Sequence, residues 1–300
     1  MLAEQEVKSH IDLGVQCCRQ ANGYFTGRSL MDLDRQSFLG QDSDELLATL
    51  TVCIIGLGGG GSHIAQQLAH VGIGNFILMD FDRIDTTNLN RLVGATDSDA
   101  RKKRYKVDVL AKRIKAINPK VRVKAITKPW QEVAECFGDC DVIFGCVDSF
   151  IVRRDIEAAA RRYLVPYIDI GMDVHALDGD FAIGGQIALS MPDSLCLQCM
   201  GILTDALISE EAARYGDAGS RPQVVWANGV LASLAVEVFI QTFIPWHKES
   251  NELIYLEYDG NLHEVRPSLR IPYLPTACTH FDSINSFGNP FFTLNMKGKY

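Results

Sequence analysis

A glycine-rich run, Gly56-Leu57-Gly58-Gly59-Gly60-Gly61-Ser62, follows a short apolar segment and precedes a segment with apolar residues at helical spacing. Glycines allow a tight turn, and the unpaired N–H groups at the start of a helix attract phosphate. Asp80 ends the next apolar segment, where a carboxylate accepts hydrogen bonds from ribose hydroxyls. A glycine-rich turn without a ligand is the alternative. Strand, loop, helix and acid together favour a nucleotide site that includes Gly56, Gly58, Gly61 and Asp80.

The segment from Asp80 to Arg91 is dense in polar side chains and also contains Asp82 and Asn88. A dinucleotide-dependent dehydrogenase needs only one acid here, for the ribose. ATP needs more, because its triphosphate and the pyrophosphate that leaves on adenylation are strongly anionic. Cations must neutralise them and carboxylates must hold magnesium. The polar segment therefore favours ATP over a dinucleotide.

Arg91, Lys106 and Asp148 are the residues that could supply these charges. Asp148 closes the predicted strand 141–147, and ligands of open α/β sheets bind at that carboxyl edge. Taken singly, each residue has a simpler explanation: a surface arginine, an exposed helix lysine and a helix N-cap. Only as a set do they indicate a site that neutralises a triphosphate.

Strands and helices alternate from residue 51 to residue 171, which predicts a parallel, doubly wound sheet. Apolar runs of strand length occupy 51–55, 76–79, 121–126, 141–147 and 167–170, and helical periodicity occupies 62–71, 106–117 and 150–164. Farther along, 181–189 and 253–258 are typical of antiparallel strands, and 224–244 is typical of a long buried helix. We expect an α/β fold, a Rossmann-like, mainly parallel sheet with a C-terminal antiparallel extension.

This order of elements predicts four regions. They are an N-terminal helical segment at 1–48, an ATP-binding half at 49–171, a substrate-binding half of the same domain at 172–280, and a tail at 281–300. The chain has 47% hydrophobic and 22% charged residues, so it has the composition of an ordinary globular protein.

Charge and hydropathy exclude several classes of function. The formal net charge is −8, which disfavours general attraction to nucleic acid, although Arg101-Lys102-Lys103-Arg104 could form a local basic patch. The polar N-terminus lacks the features of a signal peptide, and Asn228 and Glu237 interrupt the longest apolar stretch. Most cysteines stand singly in apolar segments, which suits a reducing compartment. We expect a cytoplasmic protein that binds neither nucleic acid nor membrane.

Taken in order, these motifs resemble those of the ThiF/MoeB/HesA family, the bacterial relatives of ubiquitin-activating enzymes. The matching stretches lie at 54–62, 72–74, 80–91, 106–108, 117–119 and 146–149, and at Cys196-Leu197-Gln198-Cys199. The resemblance implies binding of Mg-ATP and adenylation of the C-terminal Gly-Gly carboxylate of a ubiquitin-like or sulfur-carrier protein. It also implies a homodimer.

The resemblance implies a role for each matching residue. Glycines 56, 58 and 61 line the nucleotide, Asp80 holds the ribose, Asn88 and Arg91 contact the phosphates, Lys106 helps to neutralise them, and Asp148 positions magnesium and the reacting carboxylate. Arg35 resembles the arginine that reaches the active site of the partner subunit. The chain departs from the family pattern before Lys106 by two extra residues, so Lys103 is the alternative. We prefer Lys106 for its spacing to Ile117-Asn118-Pro119.

Cys196 and Cys199 have the spacing of a zinc knuckle. The family completes such a site with a second Cys-x-x-Cys, and the corresponding place here offers Cys278 and His280 instead. The resemblance therefore implies a closed, structural Cys₃His zinc site. A redox dithiol and a pair of cysteines without metal are the alternatives.

Some family members carry a cysteine between the knuckle and the long helix that takes over the activated carboxyl group as a thioester. Residues 200–226 contain no cysteine, so adenylation without an internal thioester is the predicted activity. The alternatives are a peptide-adenylating enzyme of antibiotic biosynthesis and a non-catalytic scaffold that binds a ubiquitin-like partner. An NAD-dependent oxidoreductase is disfavoured, because it would leave Asp82, Asn88 and Arg91 without a role.

Overall fold

The computed structural model describes residues 33–213, 222–244, 246 and 254–281. The predicted helical segment is therefore described only from residue 33, as a 3-10 helix at Asp34–Leu39 and helix α1 at Ser43–Thr49. Its residues 1–32 and the tail from residue 282 onward lie outside the described part of the chain.

One eight-stranded sheet organises the molecule, with the strand order β3-β2-β1-β4-β5-β6-β7-β8. Its strands are β1 Thr51–Ile55, β2 Asn75–Met79, β3 Arg122–Ile126, β4 Val142–Gly145, β5 Tyr167–Leu177, β6 Asp180–Ser190, β7 Tyr255–Asp259 and β8 Glu264–Pro267. The first five pair in parallel and the remaining strands are antiparallel. This arrangement confirms the predicted fold class.

Helices cover both faces of the sheet, as a doubly wound fold requires. After α1 they are α2 Gly59–Val71, α3 Asp97–Arg101, α4 Lys106–Ile117, α5 Phe150–Arg162, α6 Asp205–Ala213 and α7 Val225–Phe243. Leu68 of α2, Leu110 of α4 and Phe239 of α7 belong to the core on one face. Ile156 of α5 and the 3-10 helix Trp130–Asp139 belong to the core on the other.

Helix α7 is long and apolar enough to cross a membrane by length and composition. It is instead a core helix here, because Leu231, Ala235 and Phe239 are buried and it packs against α2 and strands β5 and β6. The sequence interpretation of 224–244 as a buried helix is therefore confirmed.

Strand β5 is longer than predicted. The apolar run ends at Ile170, but the strand continues to Leu177 and pairs with β6 from Tyr167↔Ser190 to Leu177↔Asp180. Its second half leaves the core and becomes exposed, so it needs no apolar pattern. The resulting hairpin crosses residue 171 without interruption and forms one wall of the cleft described below.

Candidate functional site

A cleft of about 670 Å³ opens at the carboxyl ends of β1, β2 and β4. The structure brings most of the predicted nucleotide-site residues to its wall: Gly56, Gly58, Asp80, Asp82, Asn88, Arg91, Lys106 and Asp148. Gly61 and Arg35 do not line it.

The glycine loop combines close packing with open space. Gly56 has a left-handed φ of +85°, and a Cβ there would lie 2.5 Å from the carbonyl oxygen of Cys146. A Cβ at Gly61 would lie 2.0 Å from the carbonyl oxygen of Gly56, so Gly61 lets α2 approach the loop. Gly58 is the N-cap of α2, and a Cβ there would meet nothing within 4 Å. The open side of Gly58 leaves room for a ligand beside the start of the helix.

Helix α2 begins at Gly59, three residues earlier than the sequence periodicity indicates. Glycines 59, 60 and 61 form its first turn and are buried. Because glycine has a low intrinsic helix propensity, the sequence does not predict this turn. Tertiary packing overrides the low propensity and makes the turn helical.

Asp80 ties β2 to the glycine loop. Its Oδ2 accepts a hydrogen bond from the Leu57 N–H at 2.7 Å, and its Oδ1 accepts one from the Asp82 N–H at 2.8 Å. Burial raises the pKa of the Asp80 carboxyl, while the nearby Lys106 ammonium and these two N–H groups act in the opposite direction. A carboxylate held in this way fixes the loop and lies at the cleft wall.

Lys106, rather than Lys103, is the lysine of the cleft. Its side chain is 10% exposed, and its Nζ lies 2.7 Å from Asp82 Oδ2 and 3.6 Å from Asp80 Oδ2. Lys103 is exposed and pairs with Asp85 outside the cleft lining. The fold therefore places Lys106, and not Lys103, at the cleft wall.

Asn88 and Arg91 are presented by a short turn between β2 and α3. Asp85 caps the 3-10 turn Thr86–Asn88, and Asn88 Oδ1 accepts the Asp85 N–H at 3.0 Å. Arg91 Nη1 donates to the Thr87 carbonyl oxygen at 2.8 Å and to Asn90 Oδ1 at 3.0 Å. Both acceptors are neutral, so the guanidinium charge is suited to an anion in the cleft.

Asp148 follows β4 and is exposed to the cleft. The sequence alone also allowed Asp148 to be the N-cap of the following helix. In the structure the N-cap of α5 is instead Ser149, whose Oγ accepts the Val152 N–H at 3.2 Å. An exposed carboxylate at the carboxyl edge of the sheet has the chemistry to hold a hard cation such as Mg²⁺, and Arg91 and Lys106 line the same cleft.

Arg35 lies outside the cleft of its own chain. It belongs to the exposed 3-10 helix Asp34–Leu39. The neighbouring Gln36 donates to the Val71 carbonyl oxygen at 3.0 Å, so this helix docks at the C-terminal end of α2. The glycine loop is at the other end of α2, about 20 Å away at 1.5 Å per residue. Arg35 therefore does not reach the glycine loop of its own chain.

A second candidate site brings together Cys196, Cys199, Cys278 and His280. Their four ligand atoms lie within 4.8 Å of one another, and His280 Nδ1 lies 3.4 Å from Cys196 Sγ and 3.2 Å from Cys199 Sγ. Zn–S and Zn–N bonds of about 2.3 and 2.0 Å in a tetrahedron imply S···N separations of about 3.5 Å. The cluster therefore fits a closed, four-coordinate metal better than a redox dithiol, which would need only two of its members.

The pKa values of two cysteines in this cluster shift in opposite directions. Burial raises the pKa of the Cys196 thiol. Burial acts likewise on Cys278, but the N–H groups of His280 and Phe281 point towards its sulfur and lower its pKa overall. A bound cation would stabilise the thiolate form of both.

Glu157 on α5 binds the loop that carries Cys196 and Cys199. Its Oε1 accepts hydrogen bonds from Ser190 Oγ at 2.6 Å and from the Leu197 N–H at 3.0 Å, and Arg161 lies 3.8 Å away. Burial raises the pKa of Glu157 to about 7, and the Arg161 charge acts against this. The loop that carries Cys196 is thus anchored in the core.

The cleft wall also contains polar residues that were not predicted from the sequence, among them Gln186 on β6, Asn228 on α7 and Arg270 after β8. A Cβ at Gly59 would lie 2.6 Å from Asn228 Nδ2, so Asn228 lies directly beside the glycine loop. Arg270 Nη1 donates to the Gly201 carbonyl oxygen at 2.6 Å and connects the cleft to the cysteine loop. Only Asn228 had a sequence signal, as a polar interruption of an apolar helix.

Comparison with known proteins gives a consistent result. The ThiF family model matches residues 32–279. Ubiquitin-like modifier-activating enzyme 5 of Drosophila willistoni is 26% identical over 257 residues, which cover 81% of this chain and 60% of that protein. The Bombyx mori enzyme of the same name is 25% identical, with coverage of 83% and 63%. The chain thus spans 60% to 63% of the length of these relatives.

Solved structures share the fold at lower sequence identity. E. coli MccB with AMPCPP and MccA superposes with a TM-score of 0.62 at 22% identity, over 75% of this chain and 65% of that chain. PaaA superposes with a TM-score of 0.60 at 19% identity, over 88% and 92%.

Proposed function

The chain belongs to the ThiF family, and from this premise we propose that it uses Mg-ATP to adenylate the C-terminal carboxylate of a protein or peptide. The observation that carries the proposal is the meeting of Lys106, Arg91 and Asp148 with the glycine loop in one cleft. These groups come from separate segments of the chain. The cleft therefore combines a phosphate cradle, two cations and a magnesium-binding carboxylate.

The parts of the cleft have distinct roles in this reaction. The N–H groups at the start of α2 and the open side of Gly58 receive the phosphates. Asp80 accepts hydrogen bonds from the ribose hydroxyls. Arg91 and Asn88 contact the phosphates, and Lys106 exchanges its contact with Asp82 for the anionic nucleotide. Asp148 would hold Mg²⁺, which supplies charge neutralisation to the triphosphate.

In the chemical step a carboxylate oxygen of the substrate attacks the α-phosphorus of ATP. A new C(=O)–O–P bond forms, and the bond between the α-phosphorus and the oxygen bridging to the β-phosphorus breaks. Pyrophosphate leaves with that oxygen. Arg91 and Lys106 stabilise the charge that develops on the leaving group, which is the largest contribution expected from side chains here.

The proposed substrate is a ubiquitin-like or sulfur-carrier protein with a C-terminal Gly-Gly sequence. The likeness to ubiquitin-like modifier-activating enzyme 5 supports this choice. Residues 200–226 contain no cysteine, so the acyl-adenylate passes to an external sulfur donor, an amine or a cysteine of another protein. The second candidate is a short peptide, which the likeness in fold to MccB, a Microcin C7 biosynthetic enzyme, favours.

We further propose a homodimer with a structural zinc in each chain. The exposed position of Arg35 away from its own cleft supports a role across a subunit interface. The donor set Cys196, Cys199, Cys278 and His280 supports zinc, because thiolate and imidazole in a closed tetrahedral arrangement are its preferred ligands.

The test is ATP–pyrophosphate exchange with the purified chain and candidate substrates that end in Gly-Gly, with a des-Gly-Gly form of each as control. We expect exchange that depends on one intact substrate. Exchange supported equally by the truncated form, or by a short peptide alone, would select the peptide candidate. Absence of exchange despite Mg-ATP binding would point to a non-catalytic scaffold.

A further inference from the structure

The run Arg101-Lys102-Lys103-Arg104 begins at the last residue of α3 and lies in the stretch before Lys106 where the chain has two extra residues relative to the family pattern that it resembles. Its positive charge is largely matched within the structure. Arg101 pairs with Asp97 at 2.5 Å, Lys103 with Asp85 at 2.5 Å, and Arg104 with Asp99 at 3.2 Å. We refer to residues 101–104 as the basic turn. Three of its four cationic side chains are thus paired with aspartates of the same chain, so the basic turn is poorly suited to bind nucleic acid.

The backbone of the basic turn is joined to the segment that follows β2. Ile84 N–H donates to the Arg104 carbonyl oxygen at 2.8 Å, and Lys106 N–H donates to the Asp82 carbonyl oxygen at 3.1 Å. These bonds flank an antiparallel bridge between Arg83 and Tyr105. A separate small core of Ile84, Leu92, Ala100 and Val109 lies beneath them. The turn and the phosphate-facing segment therefore form one packed unit.

Lys103 occupies a strained position in this unit. Its φ is +46°, in the left-handed region that L-residues other than Asn and Asp seldom adopt. Arg83 holds it there, because Arg83 Nη1 donates to the Lys103 carbonyl oxygen at 2.8 Å while the Arg83 guanidinium stacks 3.9 Å over the Tyr105 ring. The unusual backbone directs the Lys103 side chain to Asp85.

Asp85 contacts both Lys103 and the turn that presents the phosphate-facing residues. While its Oδ2 binds Lys103, its Oδ1 accepts the Thr87 N–H at 3.1 Å and caps the turn that presents Asn88. The Thr87 carbonyl oxygen in turn accepts a hydrogen bond from Arg91 at 2.8 Å. A continuous series of contacts thus runs from Lys103 through Asp85 and Thr87 to Arg91.

We propose that the basic turn is a brace for the nucleotide cleft and that Lys103 is a positioning residue, which acts through Asp85 to hold Asn88 and Arg91 towards the phosphates. The inference rests on the proposed use of Mg-ATP. Lys103 itself does not line the cleft, so it does not touch the nucleotide. The brace orders the phosphate-contacting residues before ATP arrives and so lowers the ordering cost of binding.

The experiment compares Lys103→Gln with Lys102→Gln, which removes the same charge one residue away, and with Lys103→Arg and Asp85→Asn. Mg-ATP affinity is measured by calorimetry, and amide hydrogen exchange is followed over residues 85–91. We expect Lys103→Gln and Asp85→Asn each to weaken Mg-ATP binding by about three- to fivefold, the size typical of an exposed ion pair. The double variant should be no weaker than either single one. Lys103→Arg, which keeps the charge at this position, should bind Mg-ATP like the wild type, and Lys102→Gln should leave binding unchanged.

Faster amide exchange over residues 85–91 in Lys103→Gln should accompany the weaker binding. Equal losses in Lys102→Gln and Lys103→Gln would show a general charge effect and overturn the brace, as would unchanged binding and exchange in Lys103→Gln. If the wild-type chain binds no Mg-ATP, the proposed function fails, and the exchange result alone decides the brace: faster exchange supports it and unchanged exchange overturns it.

Discussion

The ammonium group of Lys106, the first residue of α4, lies 3.6 Å from the buried carboxylate of Asp80. Asp80 is the end of β2 and is already bound to the Leu57 N–H. One short contact thus connects three elements of the site. Lys106 Nζ also lies 2.7 Å from the carboxylate of Asp82. Because Asp82 is exposed, an anionic ligand in the cleft can replace it as the partner of Lys106.

Replacement of Lys106 by methionine, which keeps the length of the side chain, should therefore affect both stability and activity. The buried Asp80 loses its cation, so we expect a loss of about 1–3 kcal/mol in the free energy of unfolding. Pyrophosphate exchange should fall by about a hundredfold or more, since a charge that faces the leaving group is lost. Lys112→Met, exposed on the same helix, is the control. Retained exchange in Lys106→Met would move the role to another cation.

The glycine loop allows packing to be separated from ligand access. Gly61→Ala places a Cβ 2.0 Å from a backbone oxygen, and we expect a loss of stability of about 1–3 kcal/mol or more from overpacking. Gly58→Ala meets no atom within 4 Å, so thermal unfolding should change little while the KM for ATP rises. A Gly58→Ala chain with an unchanged KM for ATP would show that the phosphates bind elsewhere.

The sequence predicts the elements that follow local rules. The bounds of α4 agree with its spacing of Val107, Leu110 and Ile114, and β1 agrees with its apolar run. Local rules do not predict the outer half of β5, because this half is stabilised by its pairing with β6. They also do not predict the glycine turn that begins α2. The same limit applies to the site. Most of the motif residues line one cleft, whereas Gly61 and Arg35 do not. Asn228 enters the cleft from a helix more than 150 positions after the glycine loop, so only tertiary packing reveals it.

The cysteine and histidine cluster should bind one zinc ion per chain. We expect His280→Ala to lose the metal and to lower the melting temperature, whereas His280→Cys should retain it, because a Cys₄ set is equally suited to zinc. Metal content by mass spectrometry under native conditions and thermal unfolding with and without a chelator provide the measurements. Full zinc occupancy in both His280→Ala and Cys278→Ser would remove these residues from the ligand set.

Glu157 should make the stability of the protein depend on pH. Its folded-state pKa of about 7 lies above its ordinary value because of burial, so the folded chain holds this proton more tightly than the unfolded chain. The contribution of Glu157 is therefore fully present at low pH and is lost as pH rises from about 4.5 to 7, by up to about 3 kcal/mol. In Glu157→Gln the amide oxygen can still accept from Ser190 and Leu197, and this part of the pH dependence should vanish. Denaturant unfolding of both proteins at pH 5 and pH 8 gives the comparison, and parallel curves at the two values would contradict the assignment.

Asp148 and Ser149 are neighbours with opposite expected phenotypes. Ser149 caps α5 through Val152, so Ser149→Ala should lower stability by about 0.5–2 kcal/mol and leave pyrophosphate exchange largely intact. Asp148 is exposed and does not serve as that cap, so Asp148→Asn should unfold like the wild type. Its exchange activity should nevertheless fall by about a hundredfold or more, because a neutral amide holds Mg²⁺ beside the reacting carboxylate much more weakly than a carboxylate does. Excess Mg²⁺ should restore part of the activity of Asp148→Asn and none of the stability of Ser149→Ala. Full exchange activity in Asp148→Asn would place the magnesium-binding carboxylate elsewhere in the cleft, and a loss of stability in this variant would show that Asp148 also has a structural role.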